Sequence, residues 1–524
     1  MELPIIYVRG FAGGGSGIDK AVDDPFYGFN EGAVHVRVGK DSTPRFYQFE
    51  SPLLRLITEQ HYRLLVHGSQ EAYLDRTPDG EVPGNSIWVH RFYDQAASTF
   101  GQEPQAYVLE KAAQDLFEFV QKVRRKTGAP RVDLVAHSMG GLICRSMIQR
   151  FIPELTRPAN GPLRPDAAVD YVERLFTYGT PHGGIEFGIG FGLLEKARDL
   201  ININGAEIFG PDRMYDYLTP REDPAVRGER PRDWNPARMP ADGFPVRRVF
   251  CLVGTNPEDY DVALGLSSKV VGARSDGLVQ IDNAYVPDAH RAFVHRSHSG
   301  RYGLVNSEEG YQNLRRFLFG DLEVRVELHD RRVRGEEDDD IVWQLETQLS
   351  IRGLPIVMHE QTTAHHCPVQ IAWRAPEDTV DTPVPLLTTF LATAERPHDV
   401  RTGEMAPTVR HALRLRLLSI REKGGIFGFF DHLEQTADFD DTLVVDFRPP
   451  EGAAPAQAWA TWNSQLPGAI RDWQPGDAPP LADDAADVPG VWRGRVAVPA
   501  SGQAILGDGA TIVLTVSGRP PAGG

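Results

Sequence analysis

The chain has 524 residues, 41% hydrophobic and 24% charged, with a formal net charge of −17. That length exceeds one compact core and that composition is globular, so two or three domains are expected. The negative balance disfavours nucleic acid and electrostatic binding to anionic lipid as partners. No run of about twenty apolar residues suggests a membrane span. The N-terminal MELPIIYVRGF has no basic and apolar leader pattern, so a cytoplasmic location is expected, unless export is leaderless.

Through the first three hundred residues, apolar runs of strand length alternate with helical patterns. LPIIYV (3–8), SIWVHRF (86–92), RVDLVAH (131–137), VERLFTYG (172–179) and VRRVFCLVG (246–254) read as strands buried on both faces. VLEKAAQDLFEFVQKVRRKTG (108–128) repeats apolar residues at helical spacing and ends in basic residues and glycine, and EEGYQNLRRFLFG (308–320) reads as a closing helix. The alternation predicts an α/β fold with a mostly parallel sheet over residues 1–320. Two insertions are expected in it. One, about 18–85, contains an amphipathic helix over SPLLRLITEQHYRLLVHG (51–68). The other, 185–244, begins with apolar IEFGIGFGLLEKARDLINI and reads as a lid.

Beyond Asp321 the pattern changes to period two. LEVRVELHD (322–330), IVWQLETQLSI (341–351), ALRLRLLSI (412–420), TLVVDF (442–447), GRVAVP (494–499) and TIVLTVS (511–517) predict an all-β, sandwich-like domain over 321–524, with 449–490 largely irregular. Cys144, Cys251 and Cys367 are expected to be reduced structural thiols. His365, His366 and Cys367 are adjacent, but neighbours on a strand face opposite ways, so no metal site is expected there. No cofactor is expected.

AHSMGG (136–141) follows the strand RVDLVAH and precedes the apolar helical stretch GGLICRSMIQRF. Strand, sharp turn and helix is the setting of a nucleophile elbow, which makes Ser138 a candidate nucleophile. Ala136 and Gly140, two positions to either side, are small enough for the chain to fold back. A serine nucleophile needs a histidine base and an orienting acid, here in the order Ser…Asp…His. SDGLV supplies Asp276 in a turn. AFVHRSHSG supplies His298 in a small-residue loop before the closing helix, with His295 as the fallback base. The oxyanion hole is expected from the backbone N–H of Met139 and of Phe11, with Ala12 as the alternative to Phe11, in the glycine-rich RGFAGGGSG (9–17). His137, Ile185 and Phe187 are expected to line the substrate cleft.

With these pieces in order, residues 1–320 resemble the lipase and esterase branch of the α/β-hydrolases. Arg9 stands where that branch carries a histidine before the oxyanion loop, which alters its polar support and leaves the backbone donor in place. TYGTPHGG (177–184) resembles the T-P-H-x-G segment of lipases and related acyltransferases, which implies that His182 lines or braces the site without being the base. The resemblance implies hydrolysis of carboxylic esters, of lipid or acyl type, through an acyl-enzyme. An acyltransferase on the same triad is the alternative, and a non-catalytic binding protein of the same fold is the reading from a different class. Lipid-interface contact through the lid is an expectation. The C-terminal domain carries no predicted site.

Overall fold

The computed structural model describes residues 2–10, 26, 29, 32–38, 44–65, 69–92, 108–185, 206–221, 228–259, 272–300, 303–333, 341–373, 381–396, 403–421, 437–451, 454–475 and 478–519. Two compact units emerge, one built from Met1–Arg291 and Arg296–Leu314, the other from Ala292–His295 and Arg315–Pro521. Among the described residues no helix is long and apolar enough to cross a membrane.

Residues 5–294 carry strands β1 (Ile5–Val8), β2 (Ala33–Val38), β3 (Pro44–Phe49), β4 (Arg63–Leu64), β5 (Ser86–Val89), β6 (Val132–His137), β7 (Val172–Tyr178), β8 (Val249–Gly254) and β9 (His290–Val294), all but the last three residues of β9 belonging to the first unit. The main sheet runs β4-β5-β1-β6-β7-β8-β9, and every pair from β4 to β8 is parallel. All four residues of β1 and all six of β8 are buried, as continuous apolar runs require when both faces are covered. From β1 the chain leaves for the β4 edge, returns through β5 between β4 and β1, and then crosses to β6, from which it continues outward to β7 and β8. The direction therefore reverses between β1 and β6, and the crevice beyond their carboxyl ends is where an open α/β sheet places a ligand. Helix Leu109–Thr127 links β5 to β6, burying Leu116, Val120 and Val123 and stopping at Gly128 with φ +68°.

Two expectations for 18–85 are corrected. The stretch is not wholly an insertion, because Arg63–Leu64 joins the parallel sheet; β2 and β3 pair only with each other. The helix expected over 51–68 covers only Pro52–Gln60, since His61 takes a left-handed φ of 56° and closes the helix. Apolar residues at helical spacing continue past His61, but they serve a strand; tertiary pairing outweighs the local pattern.

The second unit is antiparallel throughout its paired strands. Strands β10 (Leu322–His329), β11 (Ile341–Ile351), β12 (Val357–Gln361), β13 (Val369–Ile371), β14 (Val384–Leu391), β15 (Val409–Arg421), β16 (Phe439–Arg448), β17 (Gln457–Trp462), β18 (Val491–Ala497) and β19 (Thr511–Gly518) form two sheets. One is β14-β10-β19-β18; the other is β12-β11-β15-β16-β17, with β13 also on β11. Burial alternates along β10, and Val324 and Ile512 of one sheet share a core with Leu413 and Leu443 of the other. That shared apolar layer makes a sandwich. Within 449–490, expected to be irregular, Gln457–Trp462 pairs with β16, and its Trp462 indole donates to Ala497 O at 2.9 Å. His365 and His366 sit in a turn rather than a strand, and no group able to hold a metal ion occurs among the described residues.

His411 lies on β15 between Ile351 and Val445, 2% exposed, and neither ring nitrogen has a hydrogen-bond partner among the described residues. Burial pushes its pKa down to about 4. The unfolded chain therefore binds a proton that the folded unit refuses, so stability is full above about pH 6.5 and falls as pH drops toward 4. The whole shift corresponds to about 3 kcal/mol for this group. Denaturant unfolding of the β unit, followed by tryptophan fluorescence, should lose stability over that window, and His411→Leu should make the loss shallower. An unchanged pH dependence in His411→Leu would contradict this.

Candidate active site

β6 ends at His137, and Ser138 follows with φ 55° and ψ −132°, a conformation unusual for a residue with a side chain. The next residue, Met139, opens a helix that runs to Ser146 and continues through a wider π turn at Met147–Phe151 to Leu155. The elbow is held on three sides. Ser138 N donates to Tyr178 O at 2.9 Å, while its carbonyl accepts from Gly141 N at 3.1 Å and from Thr180 Oγ1 at 2.8 Å.

Close packing explains the small residues. A Cβ on Gly140 would lie 2.1 Å from Val8 O, and one on Gly141 2.2 Å from Thr180 Oγ1. Gly10 is also buried against the serine, where an added Cβ would lie 2.5 Å from Ser138 Cβ. The backbone leaving β1 therefore passes directly over the elbow, at the crevice where the strand order reverses.

His298 Nε2 is 3.0 Å from Ser138 Oγ, and its Nδ1 is 2.8 Å from Asp276 Oδ2. A carboxylate oxygen only accepts, so Nδ1 carries the proton and Nε2 is left to accept from the serine hydroxyl. Asp276 Oδ1 is saturated by Leu278 N at 3.0 Å and Val279 N at 2.8 Å, which fixes the carboxylate. The His298 backbone N–H donates to Asp276 O at 2.8 Å, so base and acid are joined through main chain and side chain. Ser138, Asp276 and His298 are all buried. An added Cβ on Gly179 would lie 2.9 Å from Asp276 Oδ2, and one on Gly254 2.7 Å from Asp276 Cβ, so bare backbone at the ends of β7 and β8 makes room for the acid.

The structure brings Ser138, Asp276 and His298 together. His295 is exposed, and its ring stacks on His365 with centroids 3.8 Å apart. Met139 stands at the helix N-terminus, where first-turn amides lack helical acceptors. Phe11, Ala12 and Phe187 lie outside the described residues. Ile185 is buried at the end of the PHGG turn.

His182 is fully buried, so it braces the turn from within instead of lining an open cleft. Its Nε2 lies 3.1 Å from Thr177 Oγ1, and Arg145 donates to its carbonyl at 3.1 Å. Burial, and then Arg145, hold its pKa well below the usual histidine value, so the ring is neutral. Arg145 is itself fully buried and satisfied by neutral acceptors, including Gln149 Oε1 and Arg238 O; burial pushes its pKa down to about 10. Sequence reasoning missed three site contacts: Gly10, Thr180 and Arg145. Gly10 and Thr180 stood inside quoted motifs, but their contacts with the elbow join distant strands.

Within the expected lid, helix Pro211–Leu218 is anchored by the elbow helix. Ser146 Oγ donates to Tyr217 O at 2.6 Å, Arg150 Nη1 to Asp216 O at 2.7 Å and Gln149 Nε2 to Leu218 O at 3.3 Å. This part behaves as core, with Met214, Tyr217 and Leu218 buried.

A parallel sheet with a left-handed serine between its central strand and the next helix defines the first unit as an α/β-hydrolase fold. The family model described as lipase (class 2) matches residues 97–154, which include the elbow. Among solved structures, a Listeria innocua gene product is 14% identical, with 61% of this chain and 94% of that chain covered and a TM-score of 0.24. Bacillus licheniformis lipase BlEst2 in mature form is 17% identical over 60% of this chain and 89% of its own, with a TM-score of 0.30. Aspergillus fumigatus lipase B is 9% identical over 60% and 51%, with a TM-score of 0.27. Comparison with curated proteins finds no match.

Proposed function

We propose that this chain is a serine hydrolase of carboxylic esters, with lipid-type acyl esters as its substrate class. The observation that carries the reading is the unbroken line Asp276–His298–Ser138, with contacts of 2.8 and 3.0 Å, ending on a serine in a strained elbow. In this mechanism His298 takes the Ser138 proton as Oγ attacks the ester carbonyl, and then protonates the departing alcohol. Water, deprotonated by the same ring, releases the acid. Met139 N–H, and Phe11 N–H from the loop after β1, are proposed to hold the oxyanion. Asp276 keeps Nδ1 protonated and stabilises the imidazolium. The anchoring of 211–218 argues against motion of that helix in any lid.

Asp276→Asn tests the assignment of the acid. An amide in place of the carboxylate presents a donor to Nδ1 and favours the wrong tautomer, so kcat on a chromogenic ester should fall by about 10⁴-fold. A loss below tenfold in folded protein would remove Asp276 from the mechanism. Across esters of increasing acyl length, turnover rising toward long chains supports a lipase, and turnover confined to short chains supports an esterase.

A further inference from the structure

His137, the residue before the candidate nucleophile, was expected to line the cleft. Its ring is instead committed to the base: Nε2 lies 2.9 Å from the His298 backbone oxygen, and the two rings are 4.9 Å apart at 41°. A carbonyl can only accept, so His137 must carry its proton on Nε2. From this geometry we infer that His137 is a positioning residue, a clamp on the main chain of His298 that holds the base at hydrogen-bond distance from Ser138. The inference rests on the reading of Ser138 and His298 as nucleophile and base.

The physical case is one of restraint. His298 sits in a loop bounded by Gly300, whose φ is 87°, and by the turn that closes at Gly303 N→Gly300 O. Its side chain is fixed through Asp276, and its backbone N–H through Asp276 O at 2.8 Å, so both of those ties lead to one residue. The carbonyl is the remaining handle, and His137 holds it from β6, the same strand that delivers Ser138. Nucleophile and base are thus referred to one rigid element, and a looser base costs rate steeply because proton transfer depends on sub-ångström placement. Phe29 packs edge-on against the His137 ring, with centroids 6.3 Å apart, and limits its swing. The charge state suits the task too. Burial first, and then His298 and Arg9, push the His137 pKa down, so the clamp stays neutral and does not oppose the imidazolium that forms beside it.

His137→Phe keeps a ring and removes the donor; His137→Gln keeps an N–H at similar reach. In steady-state ester hydrolysis, kcat of His137→Phe should fall about 10- to 100-fold with KM within about twofold, and His137→Gln should recover most of the loss. A raised KM with unchanged kcat, or equal losses in both variants, would overturn the clamp. If His137→Phe does not fold, imidazole ¹⁵N NMR of the wild-type protein decides. A His137 ring protonated on Nε2 from pH 5 to 8 is expected, and an Nδ1–H tautomer or titration near pH 6.5 refutes the inference. Ser138→Ala, assayed alongside, separates the two claims. If turnover survives in Ser138→Ala, the proposed function fails, and the clamp with it as a catalytic device.

Discussion

Ser138→Ala is expected to reduce ester hydrolysis by about 10⁴-fold or more while leaving the fold intact. The loss follows from the position of Oγ, the group that His298 Nε2 faces at 3.0 Å. The fold survives because the elbow is held by backbone: Ser138 N on Tyr178 O, and Ser138 O under Gly141 N and Thr180 Oγ1. A companion variant, Ser138→Gly, separates activity from stability. At φ 55°, ψ −132° a side chain is strained by roughly 1–3 kcal/mol. Glycine relieves that strain and gains flexibility in the unfolded chain, worth about 1 kcal/mol against it. Ser138→Gly should therefore be inactive and at least as stable as wild type in denaturant unfolding. A clear destabilisation would mean that the hydroxyl supports the fold, and activity retained by either variant would dismiss Ser138 as the nucleophile.

The second large effect is on stability. Gly140→Ala places a methyl group 2.1 Å from Val8 O and 2.6 Å from Arg9 O, both backbone atoms of the segment leaving β1. Neither can rotate away as a flexible side chain could, so either the elbow helix or the β1 exit must shift. Overpacking of this kind costs about 1–3 kcal/mol, and rigid backbone on the receiving side puts the substitution at or above the top of that range. The same shift would move Gly10, whose backbone lies against Ser138, so surviving protein should also lose most of its activity. The check is a midpoint of chemical unfolding, together with kcat on a short-chain ester. Wild-type stability in Gly140→Ala would show that the approach of helix to strand is looser than these distances require.

How much was legible in the sequence depended on whether a feature was local. β1, β6, β7 and β8 are buried on both faces, so their apolar runs stood out without knowledge of their partners. The elbow was legible because its geometry demands small residues at fixed offsets, and Gly140 meets that demand against Val8 O. The choice of His298 over His295 rested on the small, turn-forming residues that follow His298. The structure sets His298 on Asp276 and Ser138, and His295 on His365. Non-local features were hidden. A two-residue strand, Arg63–Leu64, has no pattern of its own, and the left-handed His61 before it is not a residue that signals a helix stop. The contacts of Thr180 with Ser138, and of Arg145 with the His182 carbonyl, join segments more than thirty-five positions apart. Buried arginine satisfied by carbonyls is likewise invisible to a rule that seeks an acidic partner.

The central claim, that Ser138 forms a covalent acyl-enzyme through His298, is tested most directly by mass spectrometry after treatment with a p-nitrophenyl alkylphosphonate ester, which phosphonylates an activated serine. One adduct per chain is predicted, mapped by peptide fragmentation to Ser138, absent in Ser138→Ala and formed far more slowly in His298→Ala. An adduct on another residue, or none on folded wild-type protein with reagents of either short or long alkyl chain, would contradict the account.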